Sequence, residues 1–283
     1  MQTILTRSTI KGESAVRSKF YGKSFDINPL GTWFLRLRPT NGGPEELYTW
    51  KKITSSVIGI ITGSPSVDNY GLMEITNHTT KDVCVLDFKQ RGWKASSAYG
   101  VSGKVVSGAD GKTCWSIGGK SDSRLYARHT PGYVDELEAS GKQAKDANPE
   151  KAFLVWEAHA RPTGIPFNLT SFGVTLNALQ PKLQPMLPPT DTRLRPDQRS
   201  MECGEYDRAA TEKERLEEKQ RAARRERERN GEEWKPRWFE KSTDAITGEE
   251  YWRVKRAGGA EKGEVEYWRK RGEGDWSGCD DIF

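Results

Sequence analysis

The sequence predicts a mainly β protein with a C-terminal α-helical part, on three observations. Residues 14 to 128 alternate short β-branched and aromatic runs with Gly, Asn, Asp and Pro, the pattern of antiparallel strands joined by hairpins. Residues 212 to 229, EKERLEEKQRAARRERER, are nearly all charged and carry opposite charges at intervals of four, a helical spacing. Only 34% of the chain is hydrophobic and 30% is charged, so the core is concentrated in part of it.

The segments SAVRSKFYGKSFDI, TWFLRLRP, ELYTWKKI, SVIGIITG, YGLMEITNH, VCVLDFK, GVSGKVV, TCWSIGG and SRLYARH are predicted strands. A meander of this kind is long enough for a barrel wall or a sandwich. In TWFLRLR, Trp33, Leu35 and Leu37 face one way and Phe34, Arg36 and Arg38 the other. The polar stretch 134–151 reads as a helical excursion or surface loop, and AFLVWEAHA and PFNLTSFGVTLNAL follow as buried-looking runs. QPKLQPMLPPTDTRLRPDQR excludes a regular helix or a central strand and predicts an extended segment that displays its arginines. The charged helix is expected from an N-cap at Asp207 to a stop at Asn230-Gly231, docked by a narrow seam of Ala209, Leu216 and Ala223. After it, WKPRWFEK and two Tyr-Trp-Arg segments, beginning at Tyr251 and Tyr267, read as short strands or extended pieces that lay tryptophans on the body. The chain thus divides into a β-meander (1–130), an excursion with a Pro-rich segment (131–205), and the charged helix with a Trp-rich end (206–283).

Several chemistries are excluded. A net charge of +5, from 45 basic and 40 acidic residues, is far from a nucleic-acid-coating balance. Cys84, Cys114, Cys203 and Cys279 form no C-x-x-C pair, which points to reduced thiols and gives no zinc spacing. No apolar run of membrane-spanning length and no signal-like start occur, so a cytoplasmic protein that at most touches membranes peripherally is expected. The GKS and GKT strings at Gly22, Gly111 and Gly119 have Arg17, Val106 and Cys114 where a phosphate-wrapping loop needs its first glycine. His78, His129 and His159 are scattered, and there is no G-x-S-x-G elbow. Neither an enzyme, a metal site nor a cofactor is predicted.

In the charged helix, steps of four place Lys213, Glu217 and Arg221 in a slanted row beside the apolar seam. Two readings fit that row. One is a solvated face laced with ion pairs of about 0.2–0.5 kcal/mol each, although Glu214 to Glu218 and Arg215 to Lys219 set like charges together. The other is a phosphate grip, in which two cations bind the anion and the carboxylate orients them.

The blocks SKFYGKSFDINPLGTWFLRL, YTWKKITSSVIGIITG, MEITNHTTKDVCVLDFK, VSGKVV, LPPTDTRLRPDQR, EKERLEEKQR and WKPRWFEK resemble, in this order, the ligand-binding domain of the oxysterol-binding protein family, most nearly its long fungal members. The resemblance implies an incomplete antiparallel β-barrel around a lipid tunnel, with a helical C-terminal subdomain. It also implies a lipid-transfer function, the exchange of a sterol or other lipid for phosphatidylinositol 4-phosphate at membrane contact sites. In the family pattern K-x-x-x-E-x-x-x-R the three residues hold the phosphoinositide headgroup, and here they are Lys213, Glu217 and Arg221. The family's His-His-Pro-Pro motif is absent, so the chain resembles the C-terminal part of that domain, without its lid and early strands, and weak or no exchange by this chain alone is expected. The alternative is a nucleic-acid-binding or protein-interaction module. It would use Arg224, Arg225, Arg227 and Arg229 with Trp234, Trp238, Trp252 and Trp268, but Glu226 and Glu228 interrupt any phosphate-tracking stripe.

Overall fold

Strand-forming runs punctuated by glycine build one antiparallel sheet. A computed structural model describes residues 6–40, 42–92, 97–130, 152–165, 169–256 and 263–283, so the polar stretch 134–151 lies outside the described residues. The sheet contains β1 (Thr6–Gly12), β2 (Ala15–Phe20), β3 (Phe25–Leu30), β4 (Thr32–Pro39), β5 (Glu46–Lys51), β6 (Thr54–Ile58), β7 (Ser66–Asn77), β8 (Val83–Phe88), β9 (Gly100–Val106), β10 (Thr113–Lys120), β11 (Arg124–His129) and β12 (Phe153–Glu157). Its main path runs β1-β4-β5-β7-β8-β9-β10-β11-β12, with β2, β3 and β6 as a side branch that rejoins at β7. No pairing among the described residues joins β12 back to β1, so the sheet is an open β-wall and not a closed barrel.

The branch arises because four long strands bend along one line. β1 and β2 keep a common register against β4 and β3, from Gly12↔Trp33 to Ala15↔Leu30. Across Gly31, and again across Lys52-Ile53, the pairing shifts by one residue: Trp33↔Trp50 against Phe25↔Val57, and Trp50↔Ile75 against Thr54↔Tyr70. An extra residue of this kind is a bulge, which bends the strand and raises its twist. Gly31 (φ +97°) and Gly71 (φ +121°) take backbone conformations that a side chain resists. A Cβ on Gly31 would lie 2.6 Å from the Glu13 carbonyl oxygen. Gly31→Ala is therefore expected to destabilise the protein by about 1–3 kcal/mol, read as a lower urea midpoint. An unchanged midpoint would show that the crease tolerates a side chain.

The chain forms two compact units, residues 1–158 with 243–251, and residues 159–242 with 252–283. In the first, Phe34, Leu47 and Val101 are buried, and Trp33 stacks on Trp50 across β4 and β5 with ring centroids 6.2 Å apart. Two expectations are corrected there. The apolar string at 59–61 in SVIGIITG is the β6–β7 turn and not strand, because Gly59 and Gly63 have positive φ. β12, from AFLVWEAHA, is exposed along its whole length.

The second unit begins with α1 (Ser171–Leu176), a short helix capped by Thr170, whose Oγ1 accepts the Gly173 N–H at 3.0 Å. Within PFNLTSFGVTLNAL the described part is helical only over Ser171–Leu176, with Phe172 exposed instead of buried. The Pro-rich segment also departs from expectation. It contains two 3-10 turns and enters α2 (Pro196–Glu202) at Pro196, since a proline at the first helical position gives up no helical hydrogen bond. The charged helix, α3, spans Tyr206–Asn230, so Asp207 lies in its first turn and not at its cap, while Gly231 ends it at φ +68° as predicted. β13 (Phe239–Thr243) and β14 (Glu250–Val254) form a hairpin that includes the first Tyr-Trp-Arg copy. The second copy is α4 (Glu266–Glu273) and not a strand. It carries Glu266 in its first turn, Lys270 and Arg271 in its last, and Gly274 as a left-handed stop.

Candidate phosphate-binding row on the charged helix

α3 is held by its narrow seam. Ala209 and Leu216 are buried, Ala223 is half-buried, and α2 packs against the helix. The rest of its surface is polar, which leaves the slanted row free to face water. Lys213 Nζ lies 3.9 Å from Glu217 Oε1, and Arg221 Nη2 donates to Glu217 Oε2 at 3.1 Å. The three predicted residues are therefore brought together, with the carboxylate between its two cations. Their side chains are open, at 66%, 42% and 55% exposure in chain order, so these ion pairs add little stability and remain available to an anion.

The like-charge clashes of the sequence are relieved by other partners. Arg215 donates to Glu212 at 2.8 Å, and Arg221 also pairs with Glu218. Arg224 donates to Glu228 at 2.8 Å. Lys219 turns away to Asp281 and to the Phe283 carbonyl oxygen, each at 2.9 Å. A groove of about 900 Å³ runs along the neighbouring face of α3, lined by Leu216, Lys219 and Ala223 with Trp234, Ile282 and Phe283. None of the three row residues lines it.

Sequence reasoning missed Arg195, at the entry to α2. It forks onto Asp197, with Nε–Oδ1 at 2.7 Å and Nη2–Oδ2 at 3.0 Å. The Asp197 carboxylate, and beyond it the charge of Glu217, holds this guanidinium above its ordinary value. Arg195 is therefore a further cation in the electrostatic neighbourhood of the row. Its only sequence signal is an arginine before a helix-starting proline.

Part of the C-terminal aromatic set packs together. The Trp238 ring lies 5.7 Å from Tyr267 and 6.0 Å from Trp276, and Arg271 stacks over Trp268 at 5.1 Å. Trp238 is thereby tied up in packing, while Trp234 and Trp268 stay largely exposed, at 59% and 58%. The four cysteines are all free, and burial pushes the Cys84 thiol up to about 11, which leaves it protonated and inert at neutral pH. No helix among the described residues is long and apolar enough to cross a membrane.

The fold of this chain matches part of solved relatives. Crystal structures of the Osh1 ORD domain, one in complex with cholesterol and one with ergosterol, match with a TM-score of 0.83 at 45% identity, covering 98% of this chain and 63% of theirs. The fold is thus that of an ORD. The family model described as oxysterol-binding protein matches residues 2–271, and the chain belongs to the oxysterol-binding protein family. It is 48% identical over 277 residues to oxysterol-binding protein homolog 2 of Saccharomyces cerevisiae, and 45% identical over 283 residues to homolog 1. Both matches cover 96% of this chain but only 21% and 23% of those relatives, so the chain spans less than a quarter of their length.

Proposed function

We propose that the chain is a lipid-binding module that takes a sterol or a phosphoinositide, as part of lipid transfer between membranes that it contacts peripherally. The observation that carries this reading is the 45% identity to an ORD solved with cholesterol and with ergosterol, across 98% of the chain. The Lys213, Glu217 and Arg221 row is assigned to the phosphorylated inositol headgroup of phosphatidylinositol 4-phosphate. Two cations around one carboxylate supply charge-assisted hydrogen bonds to a phosphate, while the acid keeps both side chains aligned before the ligand arrives. No bond is made or broken, so the role is binding and not catalysis.

Vesicles with and without phosphatidylinositol 4-phosphate test the headgroup assignment. Lys213→Ala and Arg221→Ala are each expected to weaken phosphoinositide-dependent binding about tenfold or more, the loss of one charge-assisted hydrogen bond. Thermal stability should stay within experimental error, because both side chains are exposed. Equal binding by variant and parent removes the row from the site. A fluorescent sterol titrated into the parent tests the sterol arm separately.

A further inference from the structure

We infer that two adjacent turns of the sheet, residues 21–24 and 59–65, form a tip that inserts into the surface of an anionic lipid bilayer. This rests on reading the chain as a lipid-handling module that meets membranes, but it uses none of the residues assigned to the phosphoinositide headgroup.

The register brings the turns together. Phe20 pairs with Phe25 where β2 enters β3, Phe25 with Val57, and Val57 with Val67, so both turns close at the same end of the sheet. At that end Ile61 is 76% exposed, Phe20 62%, Tyr21 51% and Ile60 41%. Turn geometry does not ask for these side chains. Gly22, Gly59 and Gly63 supply the positive φ, and small polar residues would serve at the positions between them. Large apolar groups gathered at an exposed turn mark a contact surface.

The charge identifies the partner. Residues 15–25 carry Arg17, Lys19 and Lys23 and no acid, and residues 57–67 carry no charge at all. Lys19 Nζ sits 4.8 Å over the Tyr21 ring. An aromatic and two isoleucines flanked by lysines that can extend their ammonium groups into a headgroup layer match a bilayer interface, where each nearby cation is attracted by anionic lipid. A second copy would set this basic tip against another. The turns are also internally hydrogen-bonded, with Tyr21 N–H to Ser24 O at 2.9 Å and Ser64 N–H to Gly59 O at 3.2 Å, while Thr62 Oγ1 donates to Gly59 O at 3.0 Å. Entering an apolar layer therefore strands few backbone groups.

Co-sedimentation with phosphatidylcholine vesicles, with and without one quarter phosphatidylserine and with no phosphoinositide present, tests the tip. The parent is expected to pellet with the anionic vesicles. The double variant Ile60→Ser with Ile61→Ser, and separately Lys19→Glu with Lys23→Glu, should each lose about tenfold or more of that binding, at an unchanged thermal midpoint. The isoleucine variant should still bind a short-chain, water-soluble phosphatidylinositol 4-phosphate like the parent. Failure of the parent to bind that soluble lipid would overturn the headgroup assignment and leave the tip standing. A fluorophore on Tyr21→Cys should shift to the blue on anionic vesicles. Parent-level pelleting by the isoleucine variant, no pelleting by the parent, or a parent dimer in vesicle-free buffer that the variant abolishes would each overturn the tip.

Discussion

Replacing Phe34 with alanine is expected to lower the free energy of unfolding by about 3–5 kcal/mol, the cost of deleting a fully buried aromatic and leaving a cavity. Among the described residues Phe34 is the largest side chain that is wholly buried, at 1% exposure. Its ring meets Tyr251 at 5.6 Å, and Lys11 Nζ lies 4.6 Å from its centroid and 3.5 Å from that of Tyr251. The loss is therefore threefold: transfer of the ring, its aromatic contact, and part of the cation–π support of a lysine. Urea unfolding should show a lower midpoint at an unchanged slope, with Phe34→Leu recovering much of the loss. A shift below about 1 kcal/mol would show that the turn above Phe34 collapses to fill the space.

Phe34 also marks where the sequence is legible and where it is not. Strict alternation in TWFLRLR separates Trp33, Leu35 and Leu37 from Phe34, Arg36 and Arg38, and the structure keeps that division. Alternation alone makes the arginine-bearing face look like the wet one. It is instead partly covered by the turn 243–251, more than two hundred residues away, whose Asp244 lies 3.9 Å from Arg36. Local pattern carries the period of a strand, but a distant segment of chain decides what lies over it. The turn at Ile60 and Ile61 misleads for the complementary reason: apolar residues usually signal a strand, and here they sit where folding does not require them. The two Tyr-Trp-Arg copies make the point again. The same three residues are a strand in β14, where β13 offers a partner, and a helix in α4, where charge placement and Gly274 suit helix ends.

The row of Lys213, Glu217 and Arg221 is legible because a helix turns spacing into geometry without help from the rest of the fold. Lys213, Glu217 and Arg221 need only α3 to be straight in order to meet. Arg195 is not legible, since its approach to Glu217 depends on α2 packing against α3, and no spacing rule predicts that.

The second large effect is expected at Asp244. Its carboxylate is 2% exposed and accepts the N–H groups of Ile246 at 3.0 Å and Thr247 at 3.2 Å, with Lys11 Nζ at 3.4 Å. Asp244→Ala breaks the turn and leaves the Lys11 ammonium among aromatic rings without its anion, a loss of about 3–5 kcal/mol. The pH dependence separates charge from turn geometry. Burial pushes the Asp244 carboxyl up, but the Thr247 and Ile246 N–H groups and Lys11 outweigh it and hold its pKa below the ordinary carboxylate value. A carboxyl depressed in the folded state stabilises fully above its unfolded pKa, about 3.9, and that contribution disappears as pH falls through the lower folded value. Asp244→Asn keeps an acceptor for the turn but carries no charge, so its deficit against the parent should be largest near pH 7 and shrink on the acid side of about pH 4. Urea unfolding of both proteins at pH 7 and at pH 3 reads this directly. An equal deficit at the two pH values would mean that the turn, and not the Lys11–Asp244 charge pair, holds residues 243–251 in place.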